Sequence, residues 1–160
     1  MRGPDALLRQ IAAAKRITLR PSNAVAALLQ HEDGRYIMQL RDAKEEIFFP
    51  GHWGCFGGAV EQGEEPEQAL RRELQEELGV EVASLSRFTQ IQFDWTPLGH
   101  GATYRRYFHA VVPDSAFRRF VLGEGAEMRA FAVDELLSER VTPYDAFAVW
   151  MHAFKLSFDR

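Results

Sequence analysis

One segment limits the folds open to this chain more than any other: Glu61 to Gly79, EQGEEPEQALRRELQEELG. Pro66 suits the first turn of a helix, acidic residues precede it, and Gly79 is placed to stop it. At roughly 100° per residue, Leu70, Leu74 and Leu78 form one stripe, so this helix has a side that must be buried. The flanking segments carry strand signals instead. Asn23–Gln30 (NAVAALLQ) is a short apolar run of strand length, Asp33-Gly34 supplies a turn, and Tyr36–Arg41 follows as the second strand of a hairpin. Trp53–Val60 (WGCFGGAV) is strand-like, and its glycines point to a close backbone approach. Beyond Gly79, strands are expected at Val80–Ser84, Phe88–Trp95, Thr103–Val112 and Met128–Val133, with WTPLGHG as a turn. VDELL reads as a short helix and Ala146–Phe158 as a C-terminal one. On the latter, Tyr144, Phe147, Trp150, Met151 and Phe154 are expected to pack into the core or form part of a dimer contact. Ala6–Lys15 reads as a short amphipathic helix docked on the domain, with a presequence as the alternative. A helix between strands, with further helices at both ends, is an α/β arrangement around a mixed sheet.

The 160 residues fit one domain, 1–160, with residues 1–20 as an N-terminal helical extension. A net charge of −4 argues against a polymeric nucleic-acid partner, which needs a basic excess. It leaves room for a small anionic substrate, because a bound cation can reverse the local sign. No run approaches the roughly 18 apolar residues of a membrane span. Cys55 is the only cysteine, which rules out an internal disulfide and a cysteine zinc cluster and fits a reducing, cytoplasmic setting.

The helix carries a second pattern. Glu73, Glu76 and Glu77 fall within an arc of roughly 100° beside the leucine stripe, so three carboxylates share one face at the border of the core. Like charges at this spacing cost about 0.2–0.5 kcal/mol per pair on an exposed helix, and more where water is scarce. Arg71 and Arg72 offset part of that. A divalent cation does so better, and carboxylate oxygens are the preferred ligands of Mg²⁺ and Mn²⁺, which commonly also bind substrate phosphates. The bland alternative is a solvated acidic face.

Read from Gly58, the spacing is Gly58, Glu64, Arg72-Glu73-Leu74, Glu76-Glu77 and Gly79-Val80. It resembles the Nudix box, G-x5-E-x7-R-E-U-x-E-E-x-G-U with U aliphatic, at every defined position. The resemblance implies the Nudix fold, a mixed β-sheet sandwiched between helices (α/β/α). It also implies a hydrolase dependent on Mg²⁺ or Mn²⁺ that cleaves the diphosphate of a nucleoside diphosphate linked to a group X, by attack of water on phosphorus. On this reading Glu73, Glu76 and Glu77 ligate metal, the Gly57 carbonyl adds a ligand, and Arg72 orients Glu73. Glu64 either supports that arrangement or belongs to a second metal site. Members of the family often use a further glutamate from a late loop. Glu127, before a segment MRAF similar to the family's E-x-R-W-F, is favoured for that role, with Glu124 competing and a box glutamate as a third choice of general base. Phe56 stands where the family often has proline.

For substrate, Phe49 and Trp53 in the aromatic run IFFPGHWGCF suggest a wall for a nucleobase, and Arg105 a phosphate contact. Core packing and an ordinary salt bridge are the plainer readings of these residues. A nucleoside triphosphate, ordinary or oxidised, is one substrate class, and a nucleotide sugar or ADP-ribose type is the other. The short chain leans to the first. The chain is expected to act as a monomer or homodimer. A non-catalytic nucleotide-binding or sensor module is the competing function, against which the intact box speaks.

Overall fold

Strands that are apolar on both sides need cover on both sides, and this chain supplies it with helices on opposite faces of one mixed sheet. The computed structural model describes residues 20–158, so the helix expected at Ala6–Lys15 lies outside the described residues. The order is β1 (Ala24–His31), β2 (Tyr36–Leu40), β3 (Trp53–Gly54), α1 (Pro66–Leu78), β4 (Ser86–Phe93), β5 (Thr103–Val112), α2 (Asp114–Phe117), β6 (Glu127–Phe131), α3 (Val133–Ser138) and α4 (Pro143–Ala153). Single 3-10 turns occupy Thr96–Leu98 and Lys155–Ser157.

The strands line up as β3-β2-β1-β5-β4, with β6 paired to β2. β1 and β2 form the expected antiparallel hairpin, closed by Gly34 at φ 93°, while β1 and β5 run parallel from Ala24 opposite Arg105 to His31 opposite Val112. Period-2 alternation divides the core into two layers. Val25, Ala27, Leu29 and Phe108 face the leucine stripe of α1, Leu70, Leu74 and Leu78. Ala26, Leu28 and Tyr107 face Leu136 of α3 and Ala148 and Val149 of α4. Each fully buried leucine contributes about 1.5–3 kcal/mol relative to exposure.

Three expectations need correction. Val80–Ser84 forms no strand. Its apolar residues Val80 and Val82 pack against the α1 layer from a loop, and Arg71 donates to the Val82 carbonyl that a ladder would otherwise use. Trp53–Val60 is a strand for two residues only. Beyond them it touches β1 through isolated bridges at Phe56 and Ala59, because Gly57 at φ 136° breaks the regular extended chain. The C-terminal helix starts at Pro143 and ends at Ala153, and its aromatic side lies outside the core, which corrects the core alternative alone. Phe147, Trp150 and Phe154 are exposed and lie against one another, while Asp145, Ala148, Val149 and His152 turn inward.

His152 meets Tyr36, whose hydroxyl lies 2.7 Å from Nδ1, and stacks against His109 at 4.2 Å, with Lys155 Nζ 3.1 Å from Nε2. Burial, then the neighbouring His109 and Lys155, push its pKa down from 6.5 to about 4. The unfolded chain therefore binds the extra proton first. Stability should fall as pH drops from 6.5 toward 4, by up to about 3 kcal/mol from this group. Urea midpoints measured across that window should show the loss in wild type and a flatter profile in His152→Gln.

Candidate active site

Helix α1 is held at both ends. Glu65 and Gln68 form a reciprocal capping box ahead of Pro66, and Gly79 closes the helix in the left-handed conformation at φ 67°. The last turn is also satisfied from a distant loop: Val121 donates to the Leu78 carbonyl at 3.1 Å and Gly123 to the Glu77 carbonyl at 2.7 Å. This second tie brings Glu124 beside the helix.

The three helix glutamates do different things. Glu77 is buried, 5% exposed. Its Oε1 accepts from Gln39 Nε2 at 3.0 Å and its Oε2 from the Gly57 N–H at 2.8 Å. Its pKa is raised to about 7, chiefly by burial and also by Glu73 and Glu124, against those two hydrogen bonds. Glu73 is partly buried, with its carboxylate packed on Gly58, where a Cβ would come within 2.5 Å of it. Burial raises its pKa too, opposed by Arg72. Glu76 is exposed and lies 3.5 Å from Arg72.

Arg72 reaches Glu73 at 2.8 Å, as an orienting residue should, and the Ala59 carbonyl at 3.1 Å. It also grips both oxygens of Glu64, at 3.0 and 3.1 Å. Glu64 is thus engaged by Arg72, the arrangement of a supporting residue. The carbonyls of Phe56 and Gly58 accept from Ala27 and Val25, so of three successive carbonyls only that of Gly57 lacks a backbone donor among the described residues.

Two cavities open here. The first, about 390 Å³, is lined by Glu73, Glu77, Glu124, Gln39, Arg41 and Lys44, together with Gly57 and Gly58. The second, about 600 Å³, is mainly aromatic, with Phe48, Phe49, Phe93, Trp95, Tyr144 and Phe147. Phe48, Arg105 and Tyr144 line both, so the two share a wall. Phe49 is therefore where the sequence suggested. Trp53 is not: it sits in the core, 6% exposed, edge-on to Phe131 at 4.8 Å. Arg105 lines both cavities and is paired with Asp145 at 3.0 Å.

The two late glutamates face different ways. Glu127 lies on β6 opposite Leu40 and is exposed. Alternation puts it on the side of Arg129 and Phe131, which belongs to the α3/α4 layer, away from α1. Glu124 is the one that lines the carboxylate cavity. Glycines on either side allow this: a Cβ on Gly123 would meet the Glu76 carbonyl at 2.5 Å, and one on Gly125 the Gln39 amide oxygen at 2.9 Å. The sequence signal was GEG, two glycines bracketing an acid. For Gln39 the sequence signal is a glutamine within the apolar run YIMQL, which has to find a buried partner. Arg41, Lys44 and Trp95 escaped as site residues.

The donor set is all oxygen and suits a hard divalent cation: Glu73, Glu77 and the Gly57 carbonyl, with Glu76 and Glu124 nearby. Among the described residues no three His, Cys, Asp or Glu side chains converge as a ready-made cage. No described helix is long and apolar enough to cross a membrane.

The comparisons with known proteins agree on the fold. The family model described as NUDIX domain matches residues 20–150. A nucleoside triphosphatase, NudI, of Escherichia coli is 44% identical over 64 residues, covering 40% of this chain and 44% of that protein; the match thus spans less than half the relative's length. Among solved structures, a MutT NUDIX hydrolase from Burkholderia pseudomallei superposes with a TM-score of 0.67 at 22% identity, over 82% of this chain and 97% of that one. The dihydroneopterin triphosphate pyrophosphohydrolase of E. coli gives 0.68 at 18%, over 86% and 99%. The NUDIX domain of Shewanella oneidensis NrtR, complexed with ADP ribose, gives 0.69 at 16%, over 98% and 99%.

Gly57 has no room for a side chain, since a Cβ would overlap the Val25 carbonyl and its φ is 136°. Gly57→Ala should therefore cost about 2 kcal/mol or more of stability by denaturant titration, while Gly63→Ala, with open space around it at φ 80°, should cost only about 1 kcal/mol.

Proposed function

This chain belongs to the NUDIX domain family, and from that premise we propose that it is a Mg²⁺- or Mn²⁺-dependent pyrophosphohydrolase acting on a nucleoside diphosphate linked to a further group. The observation that carries the reading is the shared wall between a carboxylate-lined cavity and an aromatic one. A nucleotide has the same two halves, a charged phosphate chain and a planar ring. Aromatic faces stack rings of any base, at about 1–3 kcal/mol per base.

Glu73, Glu77 and the Gly57 carbonyl would hold the metal, with Glu76 joining from the helix surface. The cation supplies charge neutralisation at the phosphates and a water of lowered pKa. Gln39 and the Gly57 N–H fix the Glu77 carboxylate, and Arg72 fixes Glu73, so both oxygens are oriented before substrate arrives. Arg41 and Lys44, in the same cavity, balance phosphate charge. Glu124 stands where a base could take a proton from the attacking water, a role its position supports better than that of Glu127.

A nucleoside triphosphate is the favoured substrate class, supported by the NudI relative, with an ADP-ribose-type dinucleotide next. Hydrolysis should be assayed with Mg²⁺ and Mn²⁺ over nucleoside triphosphates, oxidised nucleotides, nucleotide sugars and dinucleotides. Turnover should stop with EDTA and return with metal. Metal binding without turnover of any member would leave only the nucleotide-binding module. Glu73→Gln and Glu77→Gln should each lower kcat by about 10²-fold or more while the protein stays folded. Glu124→Gln should lower kcat more than Glu127→Gln, and the reverse order would return the late-glutamate role to Glu127.

A further inference from the structure

Arg105 is built into the molecule more elaborately than a surface salt bridge requires. It stands at the start of β5, opposite Ala24 of β1, with its side chain 11% exposed. Its Nε lies 3.0 Å from Asp145 Oδ1 and 3.1 Å from the Tyr107 hydroxyl, and its Nη2 3.4 Å from Asp145 Oδ2. Asp145 is completely buried and also accepts from the Cys55 N–H at 2.9 Å and the Tyr107 hydroxyl at 2.8 Å. The guanidinium lies 4.8 Å from the centroid of Tyr144. Nη1 has no acceptor among the described residues. Both Arg105 and Tyr144 line both cavities. Neighbouring Arg106 shows the contrast: alternation turns it to the other face, where it is spent on Gln90 at 2.8 Å.

A cation whose torsions are locked through Nε and Nη2 and whose Nη1 is left uncommitted is a preorganised anion donor. Its place is the junction, where a ligand passing from the aromatic cavity to the carboxylate cavity has its first phosphate.

We infer that Arg105, held by Asp145, donates through Nη1 to the phosphate that directly bears the nucleoside, and that Asp145 is the positioning residue for this contact. The inference rests on the nucleotide reading above. It makes Arg105 the group that registers the phosphate chain against the ring, separate from the carboxylates that would hold metal. Toward the phosphate, Asp145 acts through Arg105, while its bonds to the Cys55 N–H and the Tyr107 hydroxyl keep it in place. Its sequence signal is an acid inside the apolar helix YDAFAVW, which has no reason to be buried unless it holds a cation.

The test is equilibrium binding by calorimetry, with AMP, GMP, CMP and UMP and the four matching nucleosides as probes. Wild type is compared with Arg105→Lys, which keeps the charge and the fold, with the double variant Arg105→Met plus Asp145→Asn, which leaves no buried charge unpaired, and with Asp145→Asn and Asp145→Glu. Affinity for the monophosphates should fall about tenfold or more in the double variant and less in Arg105→Lys, with nucleoside affinity unchanged. Asp145→Asn should follow the same direction and Asp145→Glu should recover part of the loss. With the best triphosphate substrate, KM should rise more than kcat falls. Monophosphate binding at wild-type strength in both Arg105 variants overturns the inference, as does an equal loss for nucleoside and monophosphate, which marks simple collapse of the aromatic cavity. A wild type that hydrolyses no nucleotide and binds none of the probes instead overturns the nucleotide reading on which the inference stands.

Discussion

The carboxylate of Glu77 is the point on which the site depends. It is removed from water at the end of α1, where an ion left alone costs several kcal/mol. Its two oxygens recover part of that cost from Gln39 of β2 and the Gly57 N–H, and its backbone carbonyl takes the Gly123 N–H. One residue therefore joins the helix, the central sheet, the glycine loop and the late loop that carries Glu124. Both side-chain partners are neutral donors, so the charge itself is oriented but not cancelled. Arg72, the nearby cation, is directed at Glu64 and Glu73. When ionised, this carboxylate is oriented by neutral donors alone, which makes an incoming cation favourable at this place.

The sheet explains why the carboxylate cavity and the aromatic cavity meet. β1 and β5 are parallel and start together, and the chain from Phe56 to Ala59 lies along the start of β1. Glycines 57 and 58 keep that chain thin, so Glu73 and Glu77 approach from the α1 side while Arg105, on the other face of β5, approaches from the α4 side. The aromatic wall is assembled from parts distant in sequence: Phe48 and Phe49 from the β2–β3 loop, Phe93 and Trp95 from the end of β4, and Tyr144 and Phe147 from α4. Phe49 adopts φ 50°, unusual for a bulky residue, while its ring contacts Tyr144 and His52.

How much of this was legible beforehand depended on whether the cause was local. Pro66 and Gly79 marked the ends of α1 because a proline at the first turn and a glycine in the left-handed region act through their own backbone. The β1–β2 hairpin was legible for the same reason, and Thr103–Val112 matched its strand to the residue. Val80–Ser84 was misread because β-branched residues report burial, and a loop can bury them without a strand partner. Trp53 and Phe49 looked alike in the sequence, yet one fills the core and the other faces a cavity. Composition does not distinguish an aromatic against Phe131 from one against open space. Glu127 had the better local pattern, but strand alternation turns it to the α3/α4 side, while Glu124 lines the carboxylate cavity.

What the sequence alone determined is the face of α1: helical phase places Glu73, Glu76 and Glu77 together beside the leucine stripe, with Arg72 adjoining them, because a helix has a fixed rise and rotation per residue, while the place of Gly58 and Glu64 beside them was only what the resemblance to the Nudix box implied. What only the tertiary structure decided is the division of labour within and around that face. Glu77 is the buried carboxylate, Glu64 serves Arg72, Glu124 reaches the cavity, and Asp145 holds Arg105 at the junction. These roles depend on which donor lies within about 3 Å of an oxygen and on how much water remains, quantities set by chain segments far apart in sequence.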